Sequence, residues 1–294
     1  MAGNNMQREI LETQELHELI APELIGNTFA KKILVLQMFT IPASGEHLNL
    51  LLCGSPASGK SVLAIDISRC IPISSYSSSN LTRIGLLEVL INTDGGLCVI
   101  DEFEKKDKAT QEALLESMQT GKVSIDKFGC HTQRDAKINV MALMNPVKYI
   151  LDDKVPIHNQ TRLSLPLLTR FHLMIPFYSV PEHYYPDIAL KYGTEIEKEQ
   201  RQKMIFKHVV EIQKNIPVVN VNAQIRQSIG SFVQELKAAS PLKEIVSPRL
   251  IEGVFSLVKA RARMNKRNAA NTDDLNYVRN LVEDLFYMRI KNDY

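Results

Sequence analysis

The chain has 294 residues with a hydrophobic fraction of 45%, a charged fraction of 23% and a formal net charge of +2. This composition is typical of a soluble globular protein, and no apolar run is long enough to predict a membrane span. Because the net charge is close to neutral, any contact with nucleic acid would have to come from local basic patches.

The N-terminal sequence MAGNNMQREI has no apolar signal core, so we expect an intracellular protein, in the cytoplasm of a prokaryote or the nucleus of a eukaryote. The four cysteines, Cys53, Cys70, Cys98 and Cys130, are far apart and form no C-x-x-C pair. We therefore expect free thiols rather than disulfides or a cysteine metal site.

A helical pattern leads into a series of short apolar runs in the first 180 residues. The segment AKKILVLQMF (30–39) has one apolar face, as a packed helix has. It is followed by the runs LNLLLC (48–53), RCIPI (69–73), LCVI (97–100), INVMALM (138–144) and FHLMIPF (171–177). The first, third and fourth runs show no polar alternation, which is typical of strands buried on both faces of a parallel sheet. Helical stretches separate the runs, so the pattern predicts a doubly wound α/β fold.

One segment interrupts this alternation. GKVSIDKFGCHTQRDAK (121–137) lies between a helical pattern and the run at 138–144, with Phe128-Gly129 near its middle. It is too short for another strand–helix unit, so we predict a β-hairpin.

The strand signals end after the proline- and tyrosine-rich segment 176–187, and helical patterns fill the rest of the chain. They are IEKEQRQKMIFKHVVEIQK (196–214), NAQIRQSIGSFVQELKAAS (222–240), PRLIEGVFSLVKARARM (248–264) and a last helix that opens at Thr272. The Thr272 hydroxyl is expected to cap that helix, and the basic segment KARARMNKR (259–267) to form a solvated face. We predict an α/β core over 1–180 and an all-helical module over 181–294.

The segment GSPASGKS (54–61) fits the pattern G-x-x-x-x-G-K-[ST], between an apolar strand and a helical pattern. In such a loop backbone N–H groups wrap the β-phosphate, Lys60 neutralises charge on the β- and γ-phosphates, and Ser61 ligates Mg²⁺. The alternative is a glycine turn without a ligand, which the flanking strand and helix argue against. The predicted ATP-binding residues are Gly54, Ser55, Pro56, Ala57, Ser58, Gly59, Lys60, Ser61 and Val62.

Two further apolar runs end in polar residues that suit the same site. LCVI is followed by Asp101 and Glu102, 41 and 42 positions after Lys60. We predict Asp101 as a second Mg²⁺ contact and Glu102 as the general base that activates water. The assignment depends on the phosphate loop, because acidic residues at strand ends are common. INVMALM is followed by Asn145-Pro146, whose amide either orients the attacking water or only makes the turn before the proline.

The motifs GSPASGKS, GGLCVIDEF, ALMNP and LLTRF occur in this order, with the hairpin segment between the second and third. Together they resemble the ATPase domain of the minichromosome maintenance (MCM) replicative helicases, which are AAA+ ATPases. The resemblance extends over nearly the whole chain, from a lead-in at IAPELIGNTFAKKILVLQMF to a lid helix at SPRLIEGVFSLVKARA. It implies a parallel P-loop sheet sandwiched by helices, a pre-sensor β-hairpin and a C-terminal all-helical lid.

The resemblance also implies roles for individual residues. It assigns Asn145 to sensing the γ-phosphate, with ATP and Mg²⁺ bound at the junctions of a homo-oligomeric ring, expected to be a hexamer. Arg170 in LLTRF would be the arginine finger that reaches a neighbour's site, and Arg249 in SPRL the second sensor across the same junction. From the residues alone, both arginines would be interpreted as surface salt-bridge residues.

The hairpin segment resembles the MCM element that points into the channel of the ring. VSIDKFG places Lys127 at the position of the DNA-contacting lysine. A lysine there would neutralise phosphates of single- or double-stranded DNA without reading the sequence. Phe128 either stacks on a base or packs within the turn.

The chain departs from the family pattern in several places. Gly59 stands where alanine is usual, His172 where aspartate is usual, and few residues between 79 and 95 are available for the family's second channel insertion. The family's N-terminal DNA-binding domain and C-terminal winged helix have no counterpart, so we interpret the chain as an excised ATPase domain or a minimal relative.

The predicted function is that of an Mg²⁺-dependent ATPase of the MCM type, a DNA helicase or translocase that acts as a ring. One alternative is a protein remodeller of the chelatase or MoxR type, which shares the hairpin; the lead-in and SPRL segments argue against it. The other is a nucleotide-gated scaffold with little turnover, against which the set Lys60, Asp101, Glu102 and Arg170 argues.

Overall fold

The computed structural model describes residues 16–77, 81–127 and 130–290, so the predictions for the first 15 residues and for Phe128 lie outside the described residues. The strands in these ranges are β1 (Leu50–Gly54), β2 (Ser74–Ser77), β3 (Leu97–Ile100), β4 (Lys122–Lys127), β5 (Cys130–Asp135), β6 (Asn139–Met144) and β7 (Leu173–Phe177). The helices are α1 (Leu16–Leu19), α2 (Thr28–Met38), α3 (Lys60–Arg69), α4 (Arg83–Asn92), α5 (Lys108–Thr120), α6 (Leu165–Leu168), α7 (Tyr185–Lys191), α8 (Glu195–Asn215), α9 (Ala223–Ala239), α10 (Pro248–Met264) and α11 (Thr272–Phe286).

Five strands form one parallel sheet in the order β2–β3–β6–β1–β7. Alternate residues of β1 enter two separate apolar clusters, one on each face: Leu50 and Leu52 in the first, Leu51 and Cys53 in the second. Burial on both faces explains why β1, β3 and β6 have unbroken apolar sequences. The predicted α/β fold with a parallel sheet is confirmed. Because the strands are parallel, their carboxyl ends meet at a single edge.

The prediction of a strand over RCIPI (69–73) is wrong. Arg69 ends α3, and the second strand, β2, has the polar sequence SSYS. β2 is the outermost strand on its side of the sheet, and Ser74 and Tyr76 are exposed. A strand at the edge of a sheet buries little side-chain surface, so hydrophobicity does not mark it in the sequence.

An antiparallel pair of strands is inserted into the α/β unit at one of the two places where the family has insertions. Where the sequence predicts a hairpin, β4 and β5 pair in antiparallel register, from Lys122 opposite Asp135 to Lys127 opposite Cys130. The Ser124 hydroxyl of β4 donates to the Glu116 carboxylate of α5 at 2.6 Å, which ties the pair to the preceding helix. By contrast, the described stretch from 81 to 95 holds only α4 and a turn, without a second insertion.

The long C-terminal helices α8 to α11 pack on the same face of the sheet as α2 and α3. Val254 and Leu257 of α10 belong to the apolar cluster that contains Leu50 and Leu52 of β1. The C-terminal helices therefore share a hydrophobic core with the sheet.

The predicted cap of the last helix is one residue too late. The Asn271 side chain, not the Thr272 hydroxyl, accepts the N–H of Asp274 at 3.0 Å, and the Asp274 carboxylate accepts the N–H of Asn271. This reciprocal pair is a capping box. Arg267 holds the same carboxylate through two hydrogen bonds at 2.6 and 2.8 Å, which favours aspartate at this position.

The basic segment of α10 is not a solvated face throughout, because Arg263 is 0% exposed. Its guanidinium donates to both oxygens of the buried Glu46 carboxylate at 2.7 and 2.8 Å. The Arg263 Nη1 and Nε groups also donate to the carbonyl oxygens of Phe39 and Ile216. Since Glu46 precedes β1, this ion pair joins α10 to the α/β part of the molecule.

We expect Arg263→Ala to lower the free energy of unfolding by about 3–5 kcal/mol, because the buried Glu46 carboxylate loses both short guanidinium hydrogen bonds and keeps only the longer contact to Lys259 Nζ at 3.8 Å as a charged partner. Urea unfolding followed by circular dichroism measures the change. Arg261→Ala is a matched control on the same helix: its guanidinium lies 4.0 Å from the centre of the Tyr277 ring, a contact that contributes about 1 kcal/mol. Equal losses in the two variants would contradict a special role for the buried ion pair.

Candidate nucleotide site

A cavity of about 530 Å³ lies at the carboxyl edge of the parallel sheet. Its lining residues are Pro56, Ala57, Ser58, Gly59, Lys60, Ser61, Val62, Asp101, Glu102, Met144 and Asn145. They come from the loop between β1 and α3, the end of β3 and the end of β6. The fold thus brings together most of the residues predicted to contact phosphate, Mg²⁺ and water. Gly54 and Ser55, also predicted to bind ATP, are not among the lining residues.

The geometry of the loop explains its glycines. Gly59 has a φ of +89°, a left-handed backbone conformation that glycine adopts without strain, which accounts for glycine at this position. At Gly54 a Cβ atom would lie 2.1 Å from the Phe177 carbonyl oxygen, because β1 and β7 approach closely. The first turn of α3, from Lys60 to Val62, lines the cavity, and its N–H groups have no acceptor within the helix. A loop and helix start of this kind fit a phosphate group.

The Lys60 ammonium is held over the loop by four oxygen atoms. Its Nζ donates to the carbonyl oxygens of Gly54 and Ser55 at 2.7 and 2.8 Å, to Ser58 Oγ at 3.2 Å and to Asn145 Oδ1 at 3.3 Å. Burial lowers the pKa of Lys60, while the Cys53 thiol, Asp101 and Glu104 act in the opposite direction. The four hydrogen bonds hold the Lys60 Nζ at the cavity wall, where it is suited to contact a polyphosphate.

Asp101 and Ser61 form the oxygen pair that would hold Mg²⁺. Ser61 Oγ donates to Asp101 Oδ2 at 2.8 Å, and the Glu102 N–H donates to Asp101 Oδ1 at 2.7 Å. A hydroxyl and a carboxylate next to a phosphate-binding loop are the ligands that Mg²⁺ prefers, since it takes oxygen ligands from the protein and the phosphates. The residues present therefore fit this ion.

The Asp101 carboxylate has a further partner on the edge strand. The Tyr76 hydroxyl of β2 donates to Asp101 Oδ2. Burial, followed by this hydrogen bond, raises the pKa of Tyr76 to about 12, so the phenol stays protonated and remains a donor at physiological pH.

Glu102 has a left-handed backbone, with a φ of +50°, directly after the strand end. Its carboxylate lines the cavity and pairs with the Lys105 ammonium at 2.5 Å. Both side chains are partly exposed, so water screens this ion pair. The pair therefore holds Glu102 only weakly. The general-base role of Glu102 stays a prediction.

Asn145 connects the end of β6 to both charged sides of the cavity. Its Oδ1 accepts from Lys60, and its Nδ2 donates to Glu104 Oε1 at 3.0 Å. The two contacts use both ends of the amide, so the side chain is oriented rather than free in the turn before Pro146. The other oxygen of Glu104, Oε2, has no hydrogen-bond partner among the described residues.

Arg170 and Arg249 do not line the cavity of their own chain. Burial and then the Arg170 charge lower the pKa of Arg249, against the opposing effect of Glu252. Arg170 Nη2 donates to Gln119 Oε1 of α5 at 3.2 Å, and its Nε has no acceptor among the described residues.

Lys127 lies at the last position of β4, where its backbone pairs with Cys130. The position of its side chain is outside what the structure describes, so its contact with DNA stays a prediction.

His172, which replaces the usual aspartate, is buried just before β7. Its Nδ1 accepts the N–H of Asn49 at 2.8 Å, and burial lowers its pKa to about 3. The imidazole is therefore neutral near physiological pH. Gly253 of α10 makes room for it, since a Cβ atom there would lie 2.7 Å from the His172 Cβ.

Two residues of the site escaped prediction from the sequence. Tyr76 lies in the serine-rich edge strand that hydrophobicity did not reveal, so no local signal marked it. Glu104 had a weak signal, because it lies two residues after Glu102 behind the same buried strand.

Residues 87–184 match the family described as the MCM P-loop domain. The DNA replication licensing factor mcm4-B of Xenopus laevis is 24% identical over 94% of this chain and 37% of its own length. The mcm4 protein of Schizosaccharomyces pombe is 25% identical over 88% of this chain and 33% of its own length. The mcm7 protein of the same organism is 29% identical over 66% of this chain and 29% of its own length.

The matched family range contains Asp101, Glu102, Asn145 and Arg170, whereas the phosphate loop precedes it. The chain spans about a third of the length of the curated relatives it matches. These matches confirm the resemblance that the motifs established.

Proposed function

We propose that this chain, which contains an MCM P-loop domain, is the Mg²⁺-dependent ATPase module of an MCM-like AAA+ motor that acts as a ring on DNA. The observation that carries the proposal is the convergence of Lys60, Ser61, Asp101, Glu102 and Asn145 on one cavity, whose lining includes neither Arg170 nor Arg249. Among the described residues, the lining of this cavity supplies the predicted phosphate and Mg²⁺ contacts but no guanidinium for the transition state.

In this proposal each residue of the cavity has one task. Lys60 holds the β- and γ-phosphates, and Ser61 and Asp101 provide the protein ligands for Mg²⁺. Bound there, Mg²⁺ would draw negative charge from the phosphate oxygens. Glu102 releases Lys105 and accepts the proton of the attacking water. Asn145, held by Glu104, donates toward the γ-phosphate and orients the water.

The proposal extends to the quaternary level. Arg170 and Arg249 of one subunit reach the nucleotide of the next, so that hydrolysis depends on assembly. We take β4 and β5 as the pre-sensor hairpin of the channel, and the helices of 181–294 as the lid of each subunit. The sequence predicts a homo-oligomer, but the matched relatives are the differently numbered factors mcm4, mcm7, Mcm2 and mcm6. This variety favours a ring of related chains, with six subunits as the expected number.

The organisms of the relatives also bear on the cellular compartment in which the proposed activity takes place. Those from Xenopus, Schizosaccharomyces and Drosophila are eukaryotic and are named as replication licensing factors, which favours the nucleus over a prokaryotic cytoplasm. Within the described ranges, none of the helices combines the length and apolar character required to cross a bilayer.

The experiment that tests the proposal is steady-state ATP hydrolysis measured against protein concentration, with and without single-stranded DNA. We expect turnover that rises cooperatively with concentration and rises again with DNA, because the catalytic site is shared between subunits. Tight ATP binding without turnover under every condition would instead indicate a nucleotide-gated scaffold. Turnover insensitive to DNA, together with exclusively protein partners in a pull-down, would indicate a protein remodeller.

Lys127→Ala is expected to weaken DNA binding and to lower the slope of log affinity against log salt by about 1, because one phosphate contact is lost. Basal ATP turnover should not change, since the backbone of Lys127 belongs to strand β4 of the hairpin and not to the phosphate loop or the strand ends beside it. Fluorescence anisotropy with labelled DNA at several salt concentrations measures both quantities. Lys203→Ala, at an exposed position of α8, is the control for loss of one positive charge. Unchanged binding by Lys127→Ala would remove the hairpin from the DNA interface.

A further inference from the structure

We propose that Tyr76 is a positioning residue for the Mg²⁺ site, and that its hydroxyl fixes the orientation of the Asp101 carboxylate. The inference rests on the proposed function, because it concerns the same cavity. It adds a residue that lies outside the phosphate loop and outside the segment that matches the MCM family.

The register of the sheet places the two side chains together. Tyr76 of β2 is opposite Val99 of β3, and the β3 direction continues beyond Ile100, since the Asp101 N–H donates to the Ser77 carbonyl at 2.9 Å. Side chains two positions apart on a strand share a face, so Val99 and Asp101 lie on the face that Tyr76 occupies. The tyrosine ring is long enough for its hydroxyl to reach Asp101 Oδ2 at the carboxyl edge.

The hydrogen bonds of Asp101 show why the tyrosine matters. Its Oδ1 accepts the N–H of Glu102, and its Oδ2 accepts from both Ser61 and Tyr76. Rotation of the carboxylate would break bonds on both oxygens at once. A hydroxyl has two lone pairs besides its proton, so Ser61 Oγ can contact a metal ion and still donate to Asp101. Tyr76 makes no contact that a metal ion would replace, and its hydroxyl is the second side-chain donor that keeps the carboxylate from rotating away.

Tyr76 can be altered without disturbing the core. The residue is 36% exposed on an edge strand, and its ring belongs to neither apolar cluster. Tyr76→Phe keeps the ring and removes only the hydroxyl. An effect of this substitution on the metal site would therefore come from the lost hydrogen bond and not from repacking.

The test is binding of a fluorescent ATP analogue (mant-ATP) to the full chain as a function of Mg²⁺ concentration. Removal of a residue that orients a metal ligand typically costs 10- to 100-fold in metal affinity. We therefore expect Tyr76→Phe to raise the half-maximal Mg²⁺ concentration about tenfold or more, while affinity in EDTA stays at the parent value. Tyr185→Phe, at an exposed tyrosine of the C-terminal region, is the matched control and should behave like the parent.

A double-mutant cycle with Asp101→Asn shows whether Tyr76 acts through Asp101. In that background Tyr76→Phe should change the half-maximal Mg²⁺ concentration by no more than about twofold, because the carboxylate that Tyr76 orients is gone. A parent-like Mg²⁺ dependence of Tyr76→Phe, or an equal effect in the Asp101→Asn background, would overturn the inference and leave the proposed function intact. A parent chain whose nucleotide binding does not respond to Mg²⁺ at all would overturn both.

Discussion

Arg170→Ala is expected to lower ATP turnover about 10³- to 10⁵-fold, the range over which an arginine finger accelerates phosphoryl transfer. Nucleotide affinity should stay near the parent value, because Arg170 does not line the cavity of its own chain. The guanidinium has one acceptor, Gln119, and a buried Nε without a partner among the described residues, so part of its hydrogen-bonding capacity is unused. A transition-state phosphate supplied by a neighbouring subunit would satisfy it.

Mixing two inactive variants is the sharpest measurement of this role. In a ring that contains both Lys60→Ala and Arg170→Ala subunits, some junctions combine an intact phosphate loop with an intact Arg170. Turnover of the mixture should therefore exceed the sum of the two separate preparations. Arg162→Ala, at an exposed arginine shortly before Arg170, is the control and should retain activity. Parent-like turnover by Arg170→Ala, or a mixture without recovery, would exclude a shared site at this residue.

The central strands of the fold were predictable because burial leaves a local trace. LLLC of β1, LCVI of β3 and NVMALM of β6 are buried on both faces and are therefore apolar throughout. The edge strand β2 left no such trace, because SSYS is held by backbone pairing with β3. The buried state of Arg263 was equally hidden: its partner Glu46 is 217 positions away, and the flanking arginines and lysines suggested a solvated face.

The residues of the site also divide into those that the local sequence dictates and those that only the folded chain brings together. The phosphate loop and the Asp101-Glu102 pair were predictable, since a turn type and a strand end dictate their residues locally. Tyr76 and Glu104 act on Asp101 and Asn145 from other elements or from a non-motif position, so only the assembled sheet reveals them. Neither arginine could be placed by local pattern.

Glu102→Gln is expected to lower ATP turnover about 10²- to 10⁴-fold, the usual contribution of a general base, because the amide cannot accept the proton of the attacking water. ATP affinity should remain near the parent value, since Glu102 pairs with Lys105 and makes no hydrogen bond to the phosphate loop.

Lys60→Ala should instead act on ATP affinity. It removes a charged donor to the phosphates, worth about 1.5–3 kcal/mol, and so weakens ATP binding about 10- to 150-fold.

Direct binding of mant-ATP and phosphate release from the same preparations separate these two defects. Glu112→Gln, at an exposed glutamate of α5 that is not among the cavity's lining residues, is the matched control for loss of a carboxylate and should retain both activities. We expect the Glu102→Gln chain to bind ATP and stall, and the Lys60→Ala chain to bind ATP poorly. This result would assign ATP binding to Lys60 and hydrolysis to Glu102. Parent-like turnover by both variants would instead mean that neither Lys60 nor Glu102 takes part in hydrolysis, and the assignment of the site would be wrong. In that case the Lys105 pair of Glu102 would be its working state, and not a contact released before catalysis.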